Sequence, residues 1–199
     1  MSKTLQSRPP VRRVVSHVVM IASTTLIEAI QQPVAFLILL SAVLTTLLVP
    51  VFQFHRFGED GRLARDSGLS CMLVFGLVLA AGTAGKAVAE EIARGTAAAV
   101  IAKPVSRVTF VLAKALGIFG VVGLFWCGVL AATLLAERCS AHFLTLDEFV
   151  GYASDPVTQV LSFLAVAVAL TGAAAGHYFW RRRFGVLAFV GVALSQVVV

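Results

Sequence analysis

Pro33-Val-Ala-Phe-Leu-Ile-Leu-Leu-Ser-Ala-Val-Leu-Thr-Thr-Leu-Leu-Val-Pro50-Val-Phe-Gln-Phe54 carries no acid, no base and no histidine. A hydrocarbon core about 30 Å thick is crossed by roughly 20 apolar residues in a helix, so this stretch is long enough to span. Pro33 suits the first turn of such a helix, where its missing N–H is not needed. Working outward, further apolar runs cover 69–89, 108–136, 160–180 and 184–199. The last of them, at about 1.5 Å per residue, is short of a full crossing. The composition agrees: 59% of residues are hydrophobic and 13% charged, against about 25% charged in a soluble domain. The mean hydropathy is +0.93. The apolar residues come in unbroken runs and not at strand spacing. The fold class that follows is all-α: a polytopic transmembrane bundle with four clear spans and a fifth at the C-terminus.

Charge placement sets the expected topology. The net charge is +6, but the bases sit in blocks between apolar runs. That is better explained by membrane orientation than by nucleic-acid binding, and no nucleic-acid partner is expected. Lys3, Arg8, Arg12 and Arg13 precede the first acid, Glu28. With this N-terminal segment in the cytoplasm, loop 90–107 and Arg181-Arg182-Arg183 are cytoplasmic too. Loops 55–68 and 137–157, which are balanced or acidic, fall on the far side. Lys86 and Lys114 then sit at cytoplasmic span ends, where a long stem reaches the headgroups. Tyr178, Phe179 and Trp180 form an interfacial aromatic belt beside the arginines. A multi-pass inner-membrane protein with a cytoplasmic N-terminus is the expectation. The first apolar run starts too late and is too long for a cleavable signal peptide, so the spans are expected to act as their own targeting signals.

Residues 1–32 form a separate N-terminal unit ahead of the transmembrane domain, 33–199. Within it Val11, Val14, Val15, Val18, Val19, Ala22, Leu26 and Ala29 recur at helical spacing, with Arg12, Arg13, Ser23, Thr24 and Glu28 between them. This reads as an amphipathic helix over 11–32 lying in the cytoplasmic membrane interface. Small residues are dense inside the spans. Gly117, Gly120 and Gly123, and the stretch Gly172-Ala-Ala-Ala-Gly176, are expected to bring helix backbones together within the chain.

Chemistry-bearing constellations are few. Cys71, Cys127 and Cys139 have no paired spacing. Cys139-x-x-His142 supplies two of the three or four ligands that a zinc site needs. His142 and His177 have no acidic or nucleophilic partner at readable spacing, so no catalytic role is expected for this chain.

The loop between the second and third runs is different. It reads Lys86-Ala-Val-Ala-Glu90-Glu91-Ile-Ala-Arg94-Gly95-Thr96, then a short apolar stretch, then Lys103-Pro104-Val105-Ser106-Arg107. Lys86, Glu90 and Arg94 are four apart and form a charge ladder, so the second helix should continue past the membrane surface. Gly95 breaks it. Thr96 caps a new short helix through 97–101, which Pro104 ends. The product is a short helix across the cytoplasmic face, placed to receive a soluble partner.

Glu90-Glu91-x-x-Arg94-Gly95-Thr96, followed by Lys103-Pro104-Val105-Ser106-Arg107 and Lys114, resembles the signature of ABC type-2 exporter permeases. The resemblance covers residues 11–136 well and the rest loosely. It implies a transmembrane subunit that pairs with a cytosolic ABC ATPase, with loop 90–107 as the coupling element. Glu90, Glu91, Arg94, Gly95, Thr96, Lys103, Pro104, Val105, Ser106 and Arg107 would then meet the ATPase. It also implies a second permease copy, as homodimer or heterodimer, in the lipid bilayer. No cofactor is expected on this chain, and ATP and Mg belong to the partner. The family has six spans where this sequence has a fifth run and then ends, which suggests either a fragment or a shortened variant. An alternative from another class is a non-transporting membrane anchor or assembly protein that recruits a cytosolic partner. The spans lack internal acids, which argues against an ion-coupled carrier.

Overall fold

The computed structural model describes residues 11–52, 60–93, 107–140, 142–146, 149–153, 156–180 and 184–198. Along them run six α-helices and one hairpin: α1 (Val11–Ile30), α2 (Pro33–Leu48), α3 (Asp60–Ala93), α4 (Arg107–Cys139), β1 (His142–Leu146), β2 (Phe149–Ala153), α5 (Pro156–Trp180) and α6 (Phe184–Val198). Four apolar helical stretches are long enough to cross a membrane: Pro33–Val51, Gly61–Glu90, Val108–Cys139 and Pro156–Tyr178. Two shorter ones, Val18–Ile30 and Phe184–Val198, flank them. The chain is a multi-pass α-helical membrane protein.

The first run starts as its sequence dictates, and its α-helix stops short of the Phe54 end that hydropathy suggests. Pro33 starts α2, and Pro50, which has no N–H to give back, tightens its end into a 3-10 turn over Val49–Val51. The second and third runs are longer as helices than as apolar stretches. Helix α3 begins at Asp60, inside what hydropathy marks as loop 55–68, and α4 runs on to Cys139. The reason is mutual support. Ala64 and Gly68 bury their side of the extension, and a methyl group added at Gly68 would sit 2.5 Å from the Thr133 side chain. Arg65 reaches Glu137 at 3.6 Å. Polar residues on the outer face of a packed helix lower hydropathy without ending the helix. Loop 137–157 also holds structure that hydropathy does not mark. Strands β1 and β2 pair antiparallel, with His142 opposite Ala153 and Leu146 opposite Phe149.

Helix α4 is central, packing against α1, α2, α3 and α6. Leu39, Val43, Val121, Phe125, Val129, Phe189 and Val192 make the core around it, each with no exposed area. Without bulk water, a polar group in such a core is costly unless it finds a partner inside the protein. The buried hydroxyls do so on their own helices. Thr46 donates to the Ala42 carbonyl at 2.8 Å, Thr83 to Leu79 at 2.8 Å and Thr133 to Val129 at 2.8 Å. Hydroxyls spent this way let Thr sit mid-span at little cost.

The last helix is part of that core. Helix α6 folds back along α5, where a methyl group at Gly191 would meet Ala169 at 3.6 Å. Its Ala188, Phe189, Val192, Ala193 and Gln196 are buried. With 15 residues it is about 22 Å long, short of a crossing as its sequence suggests.

Helix α1 has the expected start, at Val11, and it is docked on α4. A methyl group at Gly117 would lie 2.7 Å from the Ala22 carbonyl oxygen, and one at Gly120 2.6 Å from Leu26. Thr25, Ala29 and Ile30 are buried, while Val15, Val19, Met20 and Ile27 point outward. The apolar residues therefore divide between a protein-facing and an outward side, which blurs the helical period in the sequence. Three successive hydroxyls on α1 also bond inward. Ser23 and Thr24 donate to the Met20 carbonyl at 2.9 and 2.8 Å, and Thr25 donates to Ile21 at 2.9 Å.

Candidate functional site

Segment 94–106 joins the end of α3 to the start of α4. Arg94, Gly95, Thr96, Lys103, Pro104, Val105 and Ser106 lie in it, outside the described residues, as does the expected short helix 97–101. What the structure gives is the frame that holds this segment. Helix α3 continues as helix to Ala93, beyond its apolar run, as the charge ladder predicts. The first rung is present: Lys86 Nζ lies 3.9 Å from Glu90 Oε1. Both side chains are partly exposed, so the pair adds little stability, in the range of a few tenths of a kcal/mol. Glu91 is part of the same helix backbone, and Arg107 is the first residue of α4.

Because α3 and α4 pack against each other, both flanks of the segment come to one end of the bundle, here termed the loop end. The opposite end carries the Arg65–Glu137 pair and the hairpin, and is termed the hairpin end. At the loop end the two isolated lysines of the spans are brought together with α1. A small cleft with room for about one water molecule, open at its mouth, is lined by Glu28 from α1, Lys86 and Glu90 from α3, and Lys114 from α4. Thr25 and Thr83 lie deeper in its wall, both buried. The Lys114 ammonium stands 5.4 Å from the centre of the Phe110 ring, a cation–π distance. Four formal charges, two of each sign, thus meet at the junction of three helices.

The sequence alone does not join Glu28 to this group. The available signal is that Glu28 is the one acid before Glu59, and the one charge on the second half of α1. An ionisable residue held at the membrane usually has a named partner or task, and Lys86 and Lys114 share that signature. Their meeting depends on α1 docking at Gly117 and Gly120, which no local pattern specifies.

Other singled-out residues have structural surroundings. His177 packs edge-on against Phe184, ring centres 6.3 Å apart, and Phe184 in turn against Phe36 at 5.9 Å. Gly123 differs from Gly117 and Gly120: nothing lies within 4 Å of a methyl group placed there. Gly172 is equally open, while Gly176 faces Leu187. Cys139 is buried beside the hairpin, and among the described residues no three of His, Cys, Asp and Glu converge as metal ligands.

No family model matches this chain, and comparison with curated proteins and with solved structures gives no match either.

Proposed function

We propose that this chain is the permease subunit of an ABC-type exporter, moving substrate across the inner membrane under the power of a partner ATPase. The observation that carries the reading is a combination of sequence and position. The Glu90-Glu91-x-x-Arg94-Gly95-Thr96 and Lys103-Pro104-Val105-Ser106-Arg107 elements run from the last turn of α3, through its connection to α4, to the first residue of α4. These two helices, of 34 and 33 residues, are the longest described, and they pack together along their length. A partner that displaces this connection moves both helices, and α4 touches nearly every other helix of the bundle.

In this reading the loop end is cytoplasmic, as the positive-inside distribution requires. Glu90, Glu91, Arg94, Lys103 and Arg107 make polar contacts in a groove of the ATPase, which binds ATP and Mg. Two copies of the permease, or this one and a sister chain, form the path. Alternating access follows when ATP-driven closure of the ATPases shifts α3 and α4. This chain then performs no chemistry itself.

Co-purification from membranes with the candidate ATPase tests the reading. The natural chain should retain the ATPase, and Glu91→Lys and Arg107→Glu should lose it while remaining folded. Retention of no ATP-binding partner by the natural chain would overturn the assignment.

A second reading is a membrane anchor that recruits a cytosolic partner without transport and needs no continuous polar path. The buried polar residues of the described helices are hydroxyls and a glutamine, with no buried charge, which fits it as well as an exporter of apolar cargo. ATPase activity of the reconstituted pair separates the two: an exporter stimulates hydrolysis in the presence of cargo, and an anchor leaves it flat.

A further inference from the structure

We propose that the β1–β2 hairpin is a lipid-binding element that lies in the headgroup layer of the bilayer at the hairpin end, with the face bearing Leu144, Leu146 and Phe149 turned to the acyl chains. The proposal rests on the membrane spans of α4 and α5 and not on the exporter assignment.

The register divides the hairpin into two faces. Directly opposed residues of an antiparallel pair share a face, and the face alternates along each strand. The pairs His142–Ala153, Leu144–Gly151 and Leu146–Phe149 therefore form one face, and Phe143–Tyr152 and Thr145–Val150 form the other. Neither strand contains an acid, a lysine or an arginine. A hairpin with one face in water alternates apolar with polar residues. Here the first face has His142 as its one polar residue, and the second has the hydroxyls of Thr145 and Tyr152. A lone two-stranded hairpin is marginal in water and needs a surface to pack on. Among the described residues the strands pack against each other and along no helix.

Position names that surface. The span that ends at Cys139 leads into β1, and the span that begins at Pro156 follows β2. Three Cα steps separate Cys139 from His142, and three separate Ala153 from Pro156, so both strands are tethered within about 11 Å of a span end. The backbone limits how deep the hairpin goes. Each strand has one outer edge of unpaired N–H and C=O groups, which hydrocarbon cannot satisfy. The headgroup layer meets both demands, since it takes apolar side chains on one side and hydrates backbone edges and hydroxyls on the other. Phenylalanine and tyrosine bring apolar rings to it, and the tyrosine a polar tip as well. Charge contributes no attraction to anionic lipid: segment 137–157 has Arg138 against Glu137, Asp147, Glu148 and Asp155.

The test labels the full chain with 3-fluorotyrosine in phosphatidylcholine nanodiscs. Fluorine NMR is then read against two broadening agents, a lipid spin-labelled within its acyl chain and a water-soluble gadolinium chelate. The natural chain has Tyr152 and Tyr178 as its two tyrosines, and Tyr178→Phe assigns them. Phe149→Tyr adds a probe to the opposite face from Tyr152, and Leu146→Tyr, at its cross-strand partner, replaces it if that variant does not fold. The added probe should lose most of its intensity to the spin-labelled lipid and little to the chelate, while Tyr152 loses more to the chelate. An added probe that the chelate broadens as fully as Tyr152 puts the hairpin in water and overturns the proposal. Protection of both faces from both agents overturns it in favour of a protein surface, such as the hairpin of a second copy. Replacing part of the phosphatidylcholine by phosphatidylglycerol should leave the pattern unchanged, and lipid contact that appears only then overturns its apolar basis.

Discussion

Helices α4 and α5 are written in nearly the same alphabet, and they occupy opposite places in the molecule. Both are apolar, and both carry glycines among alanines, valines and leucines. On α4 all the glycines but Gly123 are contact points, and two of them approach the backbone of another helix, whereas on α5 Gly176 meets only the Leu187 side chain. A methyl group at Gly117 would strike the Ala22 carbonyl oxygen at 2.7 Å, and one at Gly128 would meet Ala193 at 3.0 Å. On α5 a methyl group at Gly172 would meet nothing within 4 Å. Val160, Leu161, Leu164 and Val168 of α5 face outward, and its buried residues, Ser162, Val166 and Ala173, follow one narrow stripe. The difference teaches that composition marks a helix as membrane-compatible and leaves its depth in the bundle open. Lipid tails are as apolar as leucine, so exposing a leucine carries no penalty that would pattern the sequence. Close approach of backbones is what separates the two helices, and it is set by geometry.

Substitutions at these glycines can break or sharpen the contrast. Gly117→Leu should have the largest effect, because a backbone carbonyl cannot rotate aside. We expect a loss of about 1–3 kcal/mol or somewhat more from overpacking, read as a lower thermal midpoint in detergent. Faster protease cleavage within α1 should accompany it. An unchanged midpoint with α1 still protected would show that α1 is not seated on α4. Gly128→Val comes next, pressing α4 against the Ala193 backbone, with a loss of about 1–2 kcal/mol. Gly172→Ala should reverse the sign, since an open helical glycine gains about 0.5–1 kcal/mol when replaced by alanine. If Gly172→Ala instead destabilises the protein, or dissociates a dimer seen by cross-linking, α5 has a neighbour outside this chain. The smallest effect belongs to the hairpin end. Arg65→Gln removes a partly exposed ion pair, and a loss below about 0.5 kcal/mol, fading with added salt, is expected from the same thermal measurement.

The spans were legible wherever the sequence is uniform. Pro33 marks the start of its span in the sequence, but the end does not follow from hydropathy. The apolar run continues to Phe54, while Pro50 tightens the chain into a 3-10 turn after Leu48. The extensions of α3 and α4 were not legible, because Arg62, Arg65, Asp66 and Glu137 carry the polarity of a loop while standing on packed helices. The hairpin was hidden for a related reason: pairing of His142 with Ala153 is a relation between residues, and hydropathy reads one residue at a time. At the loop end, the charge ladder foretold that α3 continues past Glu90. Glu28, Lys86 and Lys114 lie far apart in sequence, and only helix docking brings them to one cleft.

The seat of α1 on α4 has a mechanical consequence. Helix α4 has 33 residues and is therefore about 50 Å long. From Arg107 to Gly117, where the α1 backbone bears on it, is about 15 Å, and from there to Cys139 is about 33 Å. A stiff rod turning about that bearing has arms in a ratio near one to two. Were Gly117 the sole bearing, a sideways push at Arg107 would be roughly doubled at Cys139, but Gly128 against Ala193 is a second bearing that shortens the far arm to about 16 Å. The spacing of these two glycines along α4 sets how far a tilt at one end is carried to the other.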